Sequence, residues 1–187
     1  MPFAVTLLPM KKQAKWKKIG RKMVFSSHFI KVFQDAVKLP NGRKIDDYMV
    51  VELLTVVIVV ATDHAGKLMV LDEYKYPQDE VMRTLPAGHL NEDEDPVVCA
   101  QRELLEETGY AGTAQYIDAI CDYPTKNLHK VHVVRITDIM KTAQAQLEDT
   151  ESLRPELISI AALKKEIKER KWKISSSLAA LALAGVI

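Results

Sequence analysis

Glu103, Glu106 and Glu107 stand within one five-residue stretch, Glu-Leu-Leu-Glu-Glu. Spaced i, i+3 and i+4, they fall on one face of a helix within a single turn. Three carboxylates so close repel one another, and a divalent cation removes the conflict. Hard oxygen donors, with no Cys/His ligand pattern nearby, select Mg²⁺ or Mn²⁺ over zinc. Acids at this spacing also occur as the plain solvated face of a soluble helix, and the three residues alone do not choose between the readings. Arg102, four residues before Glu106, is placed to brace a carboxylate. Gly88, at the end of Pro86-Ala87-Gly88, has no Cβ and lets backbone come close to bound ions.

The elements that must position these residues are readable around them. A helix is predicted over Val97–Glu107, with Asp95 as N-cap, Pro96 in the first position and Gly109 as the stop. Val97, Ala100, Leu104 and Leu105 are expected to pack on a sheet and hold the acids toward solvent. Upstream, strand-like segments lie on either side of Pro40-Asn41-Gly42-Arg43, a strong hairpin turn. The apolar run Leu53–Ala61 has the character of a strand covered on both faces, and Lys67–Tyr74 returns after the Asp63–Gly66 turn. Further strands are predicted at Ala114–Cys121 and Lys130–Thr137, then a polar connection over Asp138–Pro155 and a short strand at Leu157–Ile160. Helices at Ala161–Arg170 and Ser176–Ala184 close the chain. This order suggests an α/β fold, a mixed sheet between helical layers.

The 187 residues suit one domain with an N-terminal extension, and the formal net charge is +1, so no global field points to nucleic acid or a membrane. The basic run Lys11–Lys18 around Trp16 is read as a solvated face. The apolar start, MPFAVTLLPM, carries Pro2 and Pro9 without a preceding charge or a cleavage site, so it is not expected to be a signal peptide. The apolar tail Ile174–Ile187 is too short to cross a bilayer. Cys99 and Cys121 are expected to be buried free thiols in a reducing cytoplasm. His129 and His132 are read as surface residues, and Trp172 as packing the last helices.

The whole segment from Gly88 to Tyr110, GHLNEDEDPVVCAQRELLEETGY, settles which reading of the acids to prefer. Its Gly88, Glu94, Arg102, Glu103, Leu104, Glu106, Glu107, Gly109 and Tyr110 resemble the Nudix box, with Tyr110 a mild departure in the last apolar slot. The resemblance implies an α/β/α sandwich carrying a loop–helix–loop metal site. It makes Glu103, Glu106 and Glu107 metal ligands together with the backbone carbonyl of Ala87, with Glu94 and Arg102 in support. It implies substitution at phosphorus by water, with Glu106 and Glu107 in the catalytic set.

The wider chain resembles the ADP-ribose pyrophosphatase and nucleoside diphosphate sugar hydrolase branch, through Trp16–Tyr48 with its PNGR hairpin, Glu73–Pro77, LPAG, GYAG, Pro124 and the closing ISSSLAALALA. That likeness implies an antiparallel N-terminal β extension over residues 1–50 that builds a homodimer, and a hydrolase domain over 51–187. Trp16, Lys75, Gly88 and Pro124 then become candidates to touch a nucleotide-sugar substrate, ADP-ribose favoured. Trp16 reads first as a hydrophobic anchor for the extension, and second as a residue that stacks on a base. Lys75 stands where the branch often has arginine, and Thr84 where it often has glutamate, which leaves substrate contacts open. A catalytic glutamate is expected from the loop before the last strand: Glu156 first, then Glu151, then Glu148. Competing readings are hydrolysis of nucleoside triphosphates, dinucleoside polyphosphates or capped RNA, and a non-catalytic nucleotide-binding module.

Overall fold

The computed structural model describes residues 14–147 and 152–187, and the chain divides into two compact units, Met1–Glu52 and Leu53–Ile187. Strands β1 (Lys17–Ser26), β2 (Ile30–Lys38) and β3 (Lys44–Leu53) form a three-stranded sheet in the order β1-β2-β3. The β2–β3 hairpin closes where predicted, with Leu39 N–H donating to Arg43 O at 2.8 Å. Across β1 and β2, Arg21 makes two hydrogen bonds to the buried Asp35, at 2.6 and 2.7 Å, and its guanidinium lies over the Phe33 ring. These hydrogen bonds hold the Asp35 carboxyl below its ordinary range. Every residue of β1 is exposed, Met23, Val24 and Phe25 included.

The second unit is a seven-stranded mixed sheet with helices on both faces. Its strands are β4 (Val56–Asp63), β5 (Leu68–Lys75), β6 (Glu80–Thr84), β7 (Ala87–His89), β8 (Tyr110–Ile120), β9 (Val131–Lys141) and β10 (Leu153–Ile158). The order is β10-β5-β4-β9-β8, with β6 on β5 and β7 on β4. Parallel pairing of β4 with β9 sits beside antiparallel pairs. Strand alternation builds two cores from one strand. Val57, Val59 and Ala61 face α1 (Pro96–Thr108) through Cys99, Ala100 and Leu104. Ile58 and Val60 face the opposite layer, α2 (Ile160–Lys168), α3 (Ser175–Leu183) and the connection between them, through Leu163, Trp172, Ala180 and Leu181. Continuous β-branching is what a strand covered on both faces requires.

Helix α1 begins and ends as its sequence demands. Asp95 accepts from Val97 N–H at 2.8 Å, Pro96 takes the first position, and Gly109 closes the helix at φ +75°. Several expectations are corrected. Leu105 is exposed, because it lies one position round from the Ala100–Leu104 row. Cys121 is exposed while Cys99 is buried. The last strand starts at Leu153 rather than Leu157, so Pro155 and Glu156 are inside it. β10 is a sheet edge, where proline's missing donor costs no ladder bond, and Pro155 pairs with Leu71. Strands β6 and β7 were not anticipated, since neither is long enough to show alternation. Among the described residues no helix is long and apolar enough to cross a membrane.

A Cβ at Gly109 would overlap the backbone of Ala143, and the residue holds a left-handed φ. Gly109→Ala is therefore expected to cost about 2 kcal/mol or more, read as a lower urea midpoint at unchanged slope.

Candidate active site

Helix α1 presents Arg102, Glu103, Glu106 and Glu107 beside the short strand β7. Glu103 and Glu107 are buried, at 8% and 5% exposure, which corrects the expectation that the acids face solvent. Only Glu106 stays half exposed. The cover comes from β7, which pairs with β4 through Val57 and Gly88. A Cβ on Gly88 would overlap the Glu103 carboxylate, so glycine is what lets the acid lie against this backbone. Ala87 N–H donates to Glu107 Oε2 at 3.2 Å, tying the second buried acid to the same strand.

Arg102 lies among the acids. Its Nη1 is 2.6 Å from Glu103 Oε1 and 3.1 Å from Glu106 Oε2. Its other nitrogens reach Glu94 at 3.0 and 3.1 Å and His89 O at 3.2 Å. Glu94 also accepts Asn91 N–H at 2.9 Å, closing its loop. The Arg102 hydrogen bond, aided by Asn91, outweighs burial and lowers the Glu94 carboxyl to about 2. Its partners in turn raise Arg102 above the ordinary guanidinium range. Burial, then the nearby Glu94 charge, pushes the Cys99 thiol up to about 12, which leaves it inert.

With Arg102 between them, no three acidic, His or Cys side chains among the described residues gather tightly enough to hold an ion as they stand. The donor set nonetheless fits a hard divalent cation: three carboxylates, two of them on buried residues, against a glycine backbone with no Cβ in the way. Glu103, Glu106, Glu107 and the Ala87 backbone are the atoms that could hold it. Arg102 braces two of these acids from one nitrogen.

The other candidates lie apart from this group in their described contacts. Lys75, at the end of β5, is ion-paired to Glu73. Pro124 is exposed in the β8–β9 connection. Trp16, in the first unit, is 50% exposed and meets Tyr48 edge-on at 5.7 Å. Glu156 points from β10 to Arg83 at 2.7 Å, so the reason for ranking it first, a place in the preceding loop, does not hold. Glu148 and Glu151 lie outside the described residues. Thr84 is buried, its hydroxyl 3.3 Å from that of Ser177.

Sequence reading missed Arg83, which also binds Asp72 at 2.9 Å and Glu166 at 3.1 Å. Burial opposes its charge, but those hydrogen bonds and ion pairs hold it above the usual range. Arg83 helps line a cleft of about 380 Å³ with Glu80, Lys171 and Lys173. Nothing in the sequence around Arg83 signals a hub whose partners lie 11, 73 and 83 residues away. His129 and His132 are part buried rather than on the surface, with His132 Nδ1 at 3.1 Å from Tyr116 Oη. Burial lowers the His132 pKa, with Lys130 adding to it.

Residues 52–178 match the family model described as NUDIX domain, and residues 16–51 match that described as nucleoside diphosphate sugar hydrolase N-terminal domain. The chain is 33% identical over 109 residues to an ADP-ribose pyrophosphatase of Bacillus subtilis (strain 168), covering 58% of this chain and 57% of that protein. It is 37% identical over 94 residues to a methanol dehydrogenase activator of Bacillus methanolicus, half of each chain. An ADP-sugar pyrophosphatase of Mus musculus is 31% identical over 106 residues, 55% of this chain and 46% of that one. The chain thus spans about half the length of the curated relatives it matches. A crystal structure of an ADP compounds hydrolase superposes with TM-score 0.79 at 17% identity, over 93% of this chain and 94% of that one, which establishes likeness of fold.

Two outcomes are expected. Gly88→Ala should displace the Glu103 carboxylate and weaken Mn²⁺ binding at least about tenfold, measured by calorimetry, with the far-UV spectrum unchanged. Glu94 has a depressed folded pKa, about 2 against an ordinary 4.5. Its stabilisation is therefore present above about pH 4.5 and lost as pH falls toward 2. In urea titrations Glu94→Gln should be less stable than the parent by about 1–2 kcal/mol at pH 7, the gap narrowing by pH 3.

Proposed function

The chain belongs to the Nudix family, and from that premise we propose that it hydrolyses the diphosphate of a nucleoside diphosphate sugar, ADP-ribose preferred, to a nucleoside monophosphate and a sugar phosphate. The observation that carries this reading is the meeting of α1 and β7, where two buried glutamates lie against Gly88 and Ala87 with Arg102 beside them. The match of residues 16–51 to a nucleoside diphosphate sugar hydrolase N-terminal domain favours sugar diphosphates over nucleoside triphosphates, dinucleoside polyphosphates or capped RNA.

In this reading Glu103, Glu106, Glu107 and the Ala87 carbonyl hold Mg²⁺ or Mn²⁺. When bound, the metal polarises phosphoryl oxygens and favours ionisation of water. Arg102 orients Glu103 and Glu106 and is itself fixed by Glu94. A carboxylate from the connection before β10 takes the proton of the attacking water, whose oxygen joins phosphorus as the anhydride P–O bond breaks. Glu151 is the better candidate, because Glu156 is committed to Arg83. Residues 1–50 serve as a dimerising extension, with Trp16 available to stack on a base, and residues 51–187 carry the chemistry. Lys75, Gly88 and Pro124 remain the proposed substrate contacts. A free-thiol chain acting on nucleotide sugars suits the cytoplasm. One relative is named as an activator of another enzyme, and this favours a regulatory module as the second reading.

The test is a panel of ADP-ribose, ADP-glucose, GDP-mannose and ATP with Mg²⁺ or Mn²⁺, products separated by chromatography. AMP from ADP-ribose, well ahead of ATP turnover, is expected. No monophosphate from any nucleotide sugar would bring the regulatory module forward. Within the active chain, Glu107→Gln and Glu151→Gln should each lose about 10²–10⁴ in kcat, whereas Glu156→Gln should stay within about fivefold. A large loss at Glu156 with normal Glu151→Gln would reverse the assignment of the base.

A further inference from the structure

His129 ends the β8–β9 connection, two residues before β9 begins. Its Nδ1 is 3.1 Å from Leu54 O. A carbonyl oxygen only accepts, so Nδ1 carries the proton, and in the neutral ring Nε2 is a bare acceptor. That Nε2 is covered by protein and has no hydrogen-bond partner among the described residues. Buried polar atoms are paired in the great majority of cases, and an exception calls for a use. The backbone beneath it is braced as well, His129 N–H donating to Asn127 Oδ1 at 3.2 Å.

Leu54, Thr55 and Val56 form the bridge from this ring to the acid loop. Leu54 O takes the imidazole, Val56 N–H reaches Lys130 O at 3.4 Å, and Thr55 O accepts Leu90 N–H at 2.9 Å. Val56 pairs with Val131 on one side and His89 on the other. Leu90 leads into the loop that Glu94 closes, and His89 O accepts from Arg102. The hydrogen-bonded path from the ring to the acid loop therefore crosses only the start of β4.

Resting on the functional reading above, we propose that His129 is a specificity-determining residue whose Nε2 accepts a hydrogen bond from a sugar hydroxyl of the substrate. The phosphates of a nucleoside diphosphate sugar are ionised and offer only acceptor oxygens, which this lone pair repels. Hydroxyls are the donors that flank the diphosphate directly, and the base lies one sugar farther out. The connection must yield to admit the hydroxyl. Its Tyr123, Pro124 and Leu128 are exposed, so none of these three side chains leaves the core when it moves.

The experiment follows the histidine ring nitrogens of the ¹⁵N-labelled full chain by long-range ¹H–¹⁵N NMR. The ligand is the methylene-bridged, uncleavable analogue of ADP-ribose with Mg²⁺. Nε2 of His129 should read as a bare acceptor before addition and move upfield at saturation. The unsubstituted-purine counterpart, whose base has no N–H donor but which keeps both sugars, should move it equally; loss of the shift would assign the donor to the base and overturn the proposal. In kinetics, His129→Leu should raise KM for ADP-ribose about tenfold or more with kcat within threefold. His129→Asn, which restores an acceptor oxygen, should recover part of the loss. A proton on Nε2, an unmoved resonance in a sample that binds the analogue, or an unchanged KM in a folded Leu variant overturns the proposal while leaving the hydrolase reading intact. A parent chain that cleaves no nucleotide sugar overturns both.

Discussion

Between Glu103 and Glu106 lies one guanidinium nitrogen, 2.6 Å from the first and 3.1 Å from the second. Two carboxylates about 4 Å apart repel by about 4 kcal/mol at the effective dielectric of a partly buried site. One turn of α1 carries three of them, two buried. A helix would not keep that face without positive charge beside it. Arg102 supplies one charge and is anchored elsewhere by Glu94 and His89 O. A divalent cation brings two charges to the same oxygens, and the anchoring leaves Arg102 with other partners when it does.

That face rests on a sheet whose central strand packs against α1 through Val57, Val59 and Ala61. β4 is buried on both sides and sends alternate side chains to α1 and to the α2–α3 layer, and its ladder to β9 sets its register from Val56 to Asp63. β7 is only three residues long and borrows that register through Val57 and Gly88. The absence of one methyl group at Gly88 then sets how close backbone and Glu103 come. The residues that lead into β4, Leu54–Val56, couple the acid loop to the β8–β9 connection.

How much of this was legible follows from the range of each signal. Helix α1 was readable to within two residues because its cap, first-position proline and glycine stop are local chemistry. Its acids were readable as a group because i, i+3, i+4 is helix geometry. Their burial was not, since the cover comes from β7, a strand too short to have a pattern. β10 was misplaced because Pro155 reads as a loop residue unless the strand is known to be an edge. That error carried Glu156 into a role for which its contact with Arg83 gives no support. Arg83 gathers Asp72, Glu156 and Glu166 from across the sequence, and no local pattern encodes such a meeting. His129 looked like a surface residue, because a single histidine says nothing about the carbonyl that fixes its tautomer.

The most direct measurement of whether the α1 acids form a cation site is titration of Mn²⁺ into the full chain, followed by electron paramagnetic resonance of the free ion. Parent protein should remove the free-ion signal up to a stoichiometric endpoint, and a chain carrying Gln at 103, 106 and 107 should leave that signal at its protein-free level. Equal uptake by the two folded chains would contradict the account, because the ion would then be held by residues other than this turn of helix.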